Sequence, residues 1–222
     1  MIAALRSSIG KKAVMAVTGL LLIGFVIMHL LDNLTIYLGP DAFNAFAAQL
    51  QYLGPLLWLL RGGVLAAVLL HIMSSILVTA ENRRARPIGY AVHCTIQTTY
   101  AARTMMVSGL LLVTFIAYHL LHFTFRVTNP DVANLTDAQG RHDVYAMVVL
   151  SFRQMPIAAA YIVAMGCLAM HLSHGIASMF QTLGLTTEAL IPRLAHIGHF
   201  VAFAIFLGYS SIPVAVLSGV LR

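Results

Sequence analysis

A histidine set deep in a long apolar stretch occurs twice in this chain, in almost the same surroundings. Val17 to Leu31 reads VTGLLLIGFVIMHLL and Val107 to Leu121 reads VSGLLLVTFIAYHLL; nine of the fifteen positions are identical, among them Gly19 and Gly109, Phe25 and Phe115, His29 and His119. A second echo sets LHIMSSI, Leu70 to Ile76, against MHLSHGI, Met170 to Ile176, and so His71 against His171. Segments this apolar need burial on every side, and 60% hydrophobic with 9% charged residues over 222 positions leaves too little polar surface for a water-soluble domain. The expected fold is therefore all-α: an integral membrane bundle of five transmembrane helices with an internal two-helix repeat, one domain over residues 1–222. A span takes roughly 20 apolar residues, and spans are read at about 13–38, 60–80, 104–126, 156–181 and 196–220.

Met1 to Lys12 is short and basic and runs straight into an apolar stretch of spanning length, so the first helix is expected to remain as an anchor. Lys and Arg are retained in cytoplasmic loops during insertion. With the amino terminus inside, the inner segments hold Arg6, Lys11, Lys12, Arg83, Arg84, Arg86, Arg103 and Arg193 against Glu81 and Glu188, which carries the whole net charge of +6. The outer segments balance. The expected location is a prokaryotic cytoplasmic membrane with a cytoplasmic amino terminus, and the basic face suits an anionic leaflet or an inside protein partner rather than nucleic acid. Cys94 and Cys167 are the two cysteines, which provides neither a disulfide framework nor an iron–sulfur ligand set. A dinucleotide fingerprint, a P-loop and HExxH are all missing from the sequence. Redox chemistry on a hydrophilic substrate would have to come from another chain.

Intramembrane imidazoles are costly unless paired or liganded, so four of them form a functional hypothesis. At about 1.5 Å per residue, His29 and His119 lie roughly 24 and 22 Å above the inner ends of their helices, and His71 and His171 roughly 14 and 15 Å above theirs. Repeat and depth select the same two pairs. Two histidines at matched depth on facing helices can clamp a planar macrocycle and leave its iron six-coordinate, suited to electron transfer. Zinc or di-iron would want four converging ligands with carboxylates or thiolates among them, and no Asp or Glu lies in the middle of a span. His122 and His174 each follow a proposed ligand by three residues and share its helix face, so either is an alternative ligand; the repeat favours His119 and His171. His93, His142, His196 and His199 fall at or beyond span ends, where solvated histidine is the default. Arg103 and Arg153 are candidates to pair haem propionates, against ordinary anchoring and snorkelling roles. Gly175 is read as a position where a ring approaches the backbone.

The runs SSIGKKAVMAVTGL from Ser7, HLLDN from His29, YAARTMMVSG from Tyr100, YHLLHF from Tyr118 and MHLSHG from Met170 are spread along most of the chain's length. In these the sequence resembles the single-chain, five-helix, dihaem cytochrome b subunits of succinate dehydrogenase and fumarate reductase. The resemblance implies a bundle that anchors a flavoprotein and an iron–sulfur protein on the cytoplasmic side and passes electrons between the latter and membrane quinone through two b haems, as a subunit of the enzyme without a succinate site of its own. It implies His71 and His171 as proximal haem ligands and His29 and His119 as distal ones. The glutamate that some members place two residues before the fourth-helix ligand is Ala169 here. A menaquinone or ubiquinone site would use Arg6, Ser8, His93, Gln97 or Arg103 near the inner surface, or Asn33 or His122 near the distal haem. Three readings compete: the cytochrome b subunit of a hydrogenase or formate dehydrogenase, a transporter with proton-relaying histidines, and a haem-free anchor.

Overall fold

The computed structural model describes residues 7–85, 88 and 98–222. Among these every regular element is helical, and five helices are long and apolar enough to cross a membrane. Helix α1 (Ser8–Leu34) begins where the Ser7 hydroxyl accepts the Gly10 N–H at 3.0 Å, filling one of the donors a helix start leaves open. A 3-10 turn, Thr35–Leu38, leads to Gly39 at φ +100°, a conformation that favours glycine, and Pro40 opens α2 (Pro40–Gln51) with its fixed φ. Gly54, at φ +51°, turns the chain into α3 (Pro55–Ala85).

After a single helical turn, Tyr100–Arg103, comes α4 (Met105–His119), which passes into a π turn at Leu120–Thr124. An irregular stretch then leads to α5 (Val144–Phe152), capped by Asp143, whose carboxylate accepts the Ala146 N–H at 2.9 Å. Helices α6 (Met155–Thr182) and α7 (Leu190–Leu217) complete the chain. The last span begins six residues before the sequence reading, so His196 and His199 fall inside α7. Their Nδ1 atoms bond the carbonyls of Pro192 and Ala195, both at 2.6 Å, and both side chains are exposed.

Helices α6 and α7 form the tightest pair, and α1 packs on α3, α6 and α7. Gly198 of α7 lets the Ser173 carbonyl approach; Gly208 lets in Leu30 of α1, whose methyl a Cβ would meet at 2.9 Å. Two apolar cores result. One gathers Leu30, Leu172, Ile176, Ala202 and Ile205 between α1, α6 and α7; the other joins Ile36 and Phe43 to α5, α6 and the end of α7. Outward faces stay apolar, with Leu59, Leu65, Leu69, Val107 and Leu110 exposed as a lipid-facing surface requires. Several hydroxyls within the spans, those of Thr18, Ser74, Ser108 and Ser173 among them, bond carbonyls of their own helix three or four residues back, Ser74 to Leu70 at 2.7 Å.

The end of the bundle where α1 begins and α3 ends is tied by the Lys11–Glu81 ion pair, with Ser8 donating to Glu81 at 2.8 Å. At the opposite end Asn44 of α2 is 2% exposed; it donates to Asp143 at 2.9 Å and accepts the Tyr145 N–H at 2.9 Å, latching α2 to α5. Beside this latch Arg141 bridges Asp41 and Asp137. Burial pushes the Asp137 carboxyl up, but the Arg141 guanidinium and the backbone N–H groups of Arg141 and Gln139 outweigh it and hold that group below the usual aspartate value.

Candidate functional site: two facing histidine pairs

The four histidines of the matched segments meet as two pairs. His29 of α1 faces His119 of α4 with ring centroids 6.0 Å apart; His71 of α3 faces His171 of α6 at 6.4 Å. Two metal–imidazole bonds of about 2 Å, with the ring radii added, place imidazole centres roughly 6 Å apart across a shared ion. The helices that carry each pair are not close-packed on one another: α1 packs on α3 and α4 on α6, while α1 with α4 and α3 with α6 stay apart. Room is thus left between partners. Thr18 touches His71 and Ser108 touches His171, and each stands eleven residues before the histidine of the other pair on its own helix. The two pairs are therefore separated by roughly 16 Å along the bundle.

Around the pair nearer the amino-terminal end, hydrogen-bond roles can be assigned. His71 Nδ1 lies 3.0 Å from the Met15 carbonyl oxygen, which only accepts, so Nδ1 carries the proton and Nε2 keeps a lone pair. The Thr18 hydroxyl, 3.3 Å from the same Nδ1, donates to the Val14 carbonyl. His171 Nδ1 lies 3.1 Å from Ser108 Oγ, whose proton goes to the Met105 carbonyl, so this ring also donates from Nδ1. Both rings are held in the form that binds a metal through Nε2. Gly19 and Gly109 sit against them: an added Cβ would stand 3.3 Å from His71 Cε1 and 3.6 Å from His171 Cε1.

The opposite pair lies among aromatic rings. Phe25 stacks on His29 at 5.4 Å and 9°, Phe115 lies 5.9 Å from His119, and Tyr209 and Tyr161 close the remaining sides at 6.1 and 6.0 Å. Asn33 donates to the His29 carbonyl at 2.6 Å and its amide nitrogen lies 3.3 Å from His29 Nδ1. A cavity of about 140 Å³ opens beside His29, lined by Asp32, Asn33, Phe43, Phe46, Ala47 and Leu50. A second of about 290 Å³ lies at the amino-terminal end between Ile9, Lys12, Ser178, Gln181 and Thr182.

The remaining candidates are distributed unevenly. His122 is 2% exposed, with Nδ1 2.9 Å from Tyr161 Oη and Nε2 3.2 Å from Ser151 Oγ; both nitrogens are engaged within the protein, and it is His119 that faces His29. His174 is half-buried one turn beyond His171, which faces His71. Arg153 caps α5 and is exposed, Arg103 is exposed with its guanidinium 6.0 Å from the Tyr100 ring, and Ser8 is engaged by Glu81. Arg6, His93 and Gln97 lie outside the described residues. Gly175 has open space where its Cβ would stand; the close approaches belong to Gly19 and Gly109. Those glycines, with Thr18, Ser108 and Tyr161, are the site residues that the sequence reading passes over. The signal for the first four lay in the repeat itself, where Thr18-Gly19 aligns with Ser108-Gly109. Among the described residues no three His, Cys, Asp or Glu side chains converge on one point. No protein-family model, curated protein or solved structure matches the chain.

Proposed function

We propose that the chain is the membrane-anchor and electron-transfer subunit of a succinate:quinone oxidoreductase, with one b haem held by His71 and His171 and a second by His29 and His119. The observation that carries this reading is the double pairing at 6.0 and 6.4 Å on helices that leave space between partners. Two protein nitrogens, with no third His, Cys, Asp or Glu converging on them among the described residues, leave four positions of an octahedral ion, the number that a porphyrin fills. If haem binds there, the two imidazoles of each pair would hold its iron, and it would supply a one-electron couple suited to electron transfer rather than oxygen binding.

The chain's own groups do the holding. Met15 and Ser108 keep protons on Nδ1 of the first pair, and the rings of Phe25, Phe115, Tyr161 and Tyr209 pack around the second. The amino-terminal end, with Lys11, Lys12, Arg83 and Arg84, is the cytoplasmic one in this reading, where the flavoprotein and iron–sulfur partners dock. The cavity beside His29, with aromatic walls and the polar Asp32 and Asn33, suits a quinone ring, menaquinone or ubiquinone.

A reduced-minus-oxidised visible spectrum with a pyridine haemochrome assay on the purified chain, and on His71→Ala and His29→Ala, tests the reading. The expected result is two b haems, one lost in each variant, with reduction by succinate when the partner subunits co-purify. Membranes grown with ample haem that yield a colourless chain overturn it in favour of a transporter or bare anchor; hydrogenase or formate dehydrogenase partners would move it to those enzymes.

A further inference from the structure

We propose that Tyr161 and His122 are positioning residues for His119: through a directed chain of hydrogen bonds they fix its Nδ1 proton and aim its Nε2 at His29. The inference rests on the haem reading above and extends it to residues that touch no haem.

The chain of contacts runs from His119 Nδ1 to Tyr161 Oη at 3.4 Å, from Tyr161 Oη to His122 Nδ1 at 2.9 Å, and from His122 Nε2 to Ser151 Oγ at 3.2 Å, where Asn129 Nδ2 also donates at 3.2 Å. Proton bookkeeping selects one direction. A metal-binding Nε2 on His119 requires the proton on Nδ1, which then donates to Tyr161 Oη; the phenol has one proton, and the shorter contact gives it to His122 Nδ1. A neutral His122 that accepts at Nδ1 carries its proton on Nε2, which donates to Ser151. His119 Nδ1 and both nitrogens of His122 then each have one role and one partner, and His119 Nε2 keeps its lone pair. The reverse direction would put the His119 proton on Nε2 and remove the ligand.

Packing fixes the chain in place. Tyr161 is 7% exposed, His122 2% and Ser151 0%. Phe123 stacks on His122 with centroids 4.0 Å apart, and Phe115, Tyr118, Phe123 and Phe152 meet Tyr161 edge-on. The π turn at Leu120–Thr124 carries His122, and π turns concentrate at functional sites. A histidine three residues after a ligand thus serves that ligand from behind.

Tyr161→Phe keeps the ring and removes the hydroxyl, so it is the first variant, with Ser108→Ala as the counterpart at the other pair. Redox titration and low-temperature electron paramagnetic resonance of the full-length dihaem protein provide the readout. Losing the acceptor on Nδ1 makes His119 a poorer electron donor, so Tyr161→Phe is expected to shift the reduction equilibrium of the His29/His119 haem about tenfold toward the reduced form, about 59 mV for one electron. Its resonance signature moves while that of the His71/His171 haem stays put, and Ser108→Ala does the converse. His122→Phe, which removes the next acceptor, moves the same haem in the same sense. ¹⁵N-histidine spectra of the haem-free wild-type chain read the tautomer directly, and an Nδ1 proton on His119 is expected. Two haems with unchanged potentials and spectra in Tyr161→Phe, or an Nε2 proton on His119, overturn the positioning role alone; a wild-type chain that binds no haem overturns both readings.

Discussion

The two histidine pairs use the same ring and differ in nearly everything that surrounds it. His71 and His171 are tied through Nδ1 to oxygens of the helix packed beside them, the Met15 carbonyl on α1 and the Ser108 hydroxyl on α4, with a glycine on that helix making room. His29 and His119 sit in an aromatic enclosure, and only His119 is held by a side chain of another helix through Nδ1. The first pair is oriented by short polar contacts between adjacent helices; the second depends on stacking and on a relay that ends near Asn129. Under the proposed haem reading, unmatched surroundings of this kind would give two otherwise identical centres different potentials.

Removing a proposed ligand is expected to break the comparison most severely. His171→Ala is expected to abolish haem at its own pair and spare the other, and His119→Ala to do the reverse, read by haem stoichiometry. Full retention in His119→Ala with loss in His122→Ala would reassign that ligand. Crowding the ring comes next. Gly19→Leu places side-chain atoms where a Cβ alone already stands 3.3 Å from His71, whereas Gly24→Leu meets open space. The first is expected to weaken haem binding at its pair by about 10–100-fold, the range for disturbed ligand support, and the second to leave it unchanged. A test of the scaffold follows. Gly208→Ala presses a Cβ to 2.9 Å from a Leu30 methyl, and overpacking of this sort costs about 1–3 kcal/mol; a lower Tm with both haems retained is expected.

The smallest effect belongs to the latch at the α2 end. Asp137 has its pKa depressed in the fold, so its contribution is present above the ordinary aspartate range and is lost as pH falls through the lower folded value. Thermal stability is expected to decline more steeply in acid for the natural chain than for Asp137→Asn, and parallel pH profiles would remove Asp137 from the account.

What the sequence made legible was whatever periodicity and repetition encode. Five apolar stretches gave five helices close to the expected boundaries, and matched histidines met their expected partners. The last helix starts at Leu190, before the expected 196, and takes Pro192 into its first turn, where Pro is tolerated. Tyr161 stayed hidden because its role depends on α6 facing α4, a tertiary relation without a local pattern. The reading of Gly175 rests on its position four residues after His171; that spacing puts it on the histidine's own helix, while the close approach comes from Gly109 on the neighbouring helix.

The π turn after His119 has one more consequence. Both matched segments end in His-Leu-Leu, but α1 continues as an ordinary helix from His29 through Leu34, whereas α4 widens at Leu120. The positions three residues on, Asp32 and His122, correspond in sequence count and finish in opposite circumstances: Asp32 lines a cavity beside its histidine, and His122 is sealed against Tyr161. A change in the spacing of a few backbone hydrogen bonds thus goes with two similar segments ending differently, one facing an opening and the other with its second histidine buried against Tyr161, while each keeps its histidine.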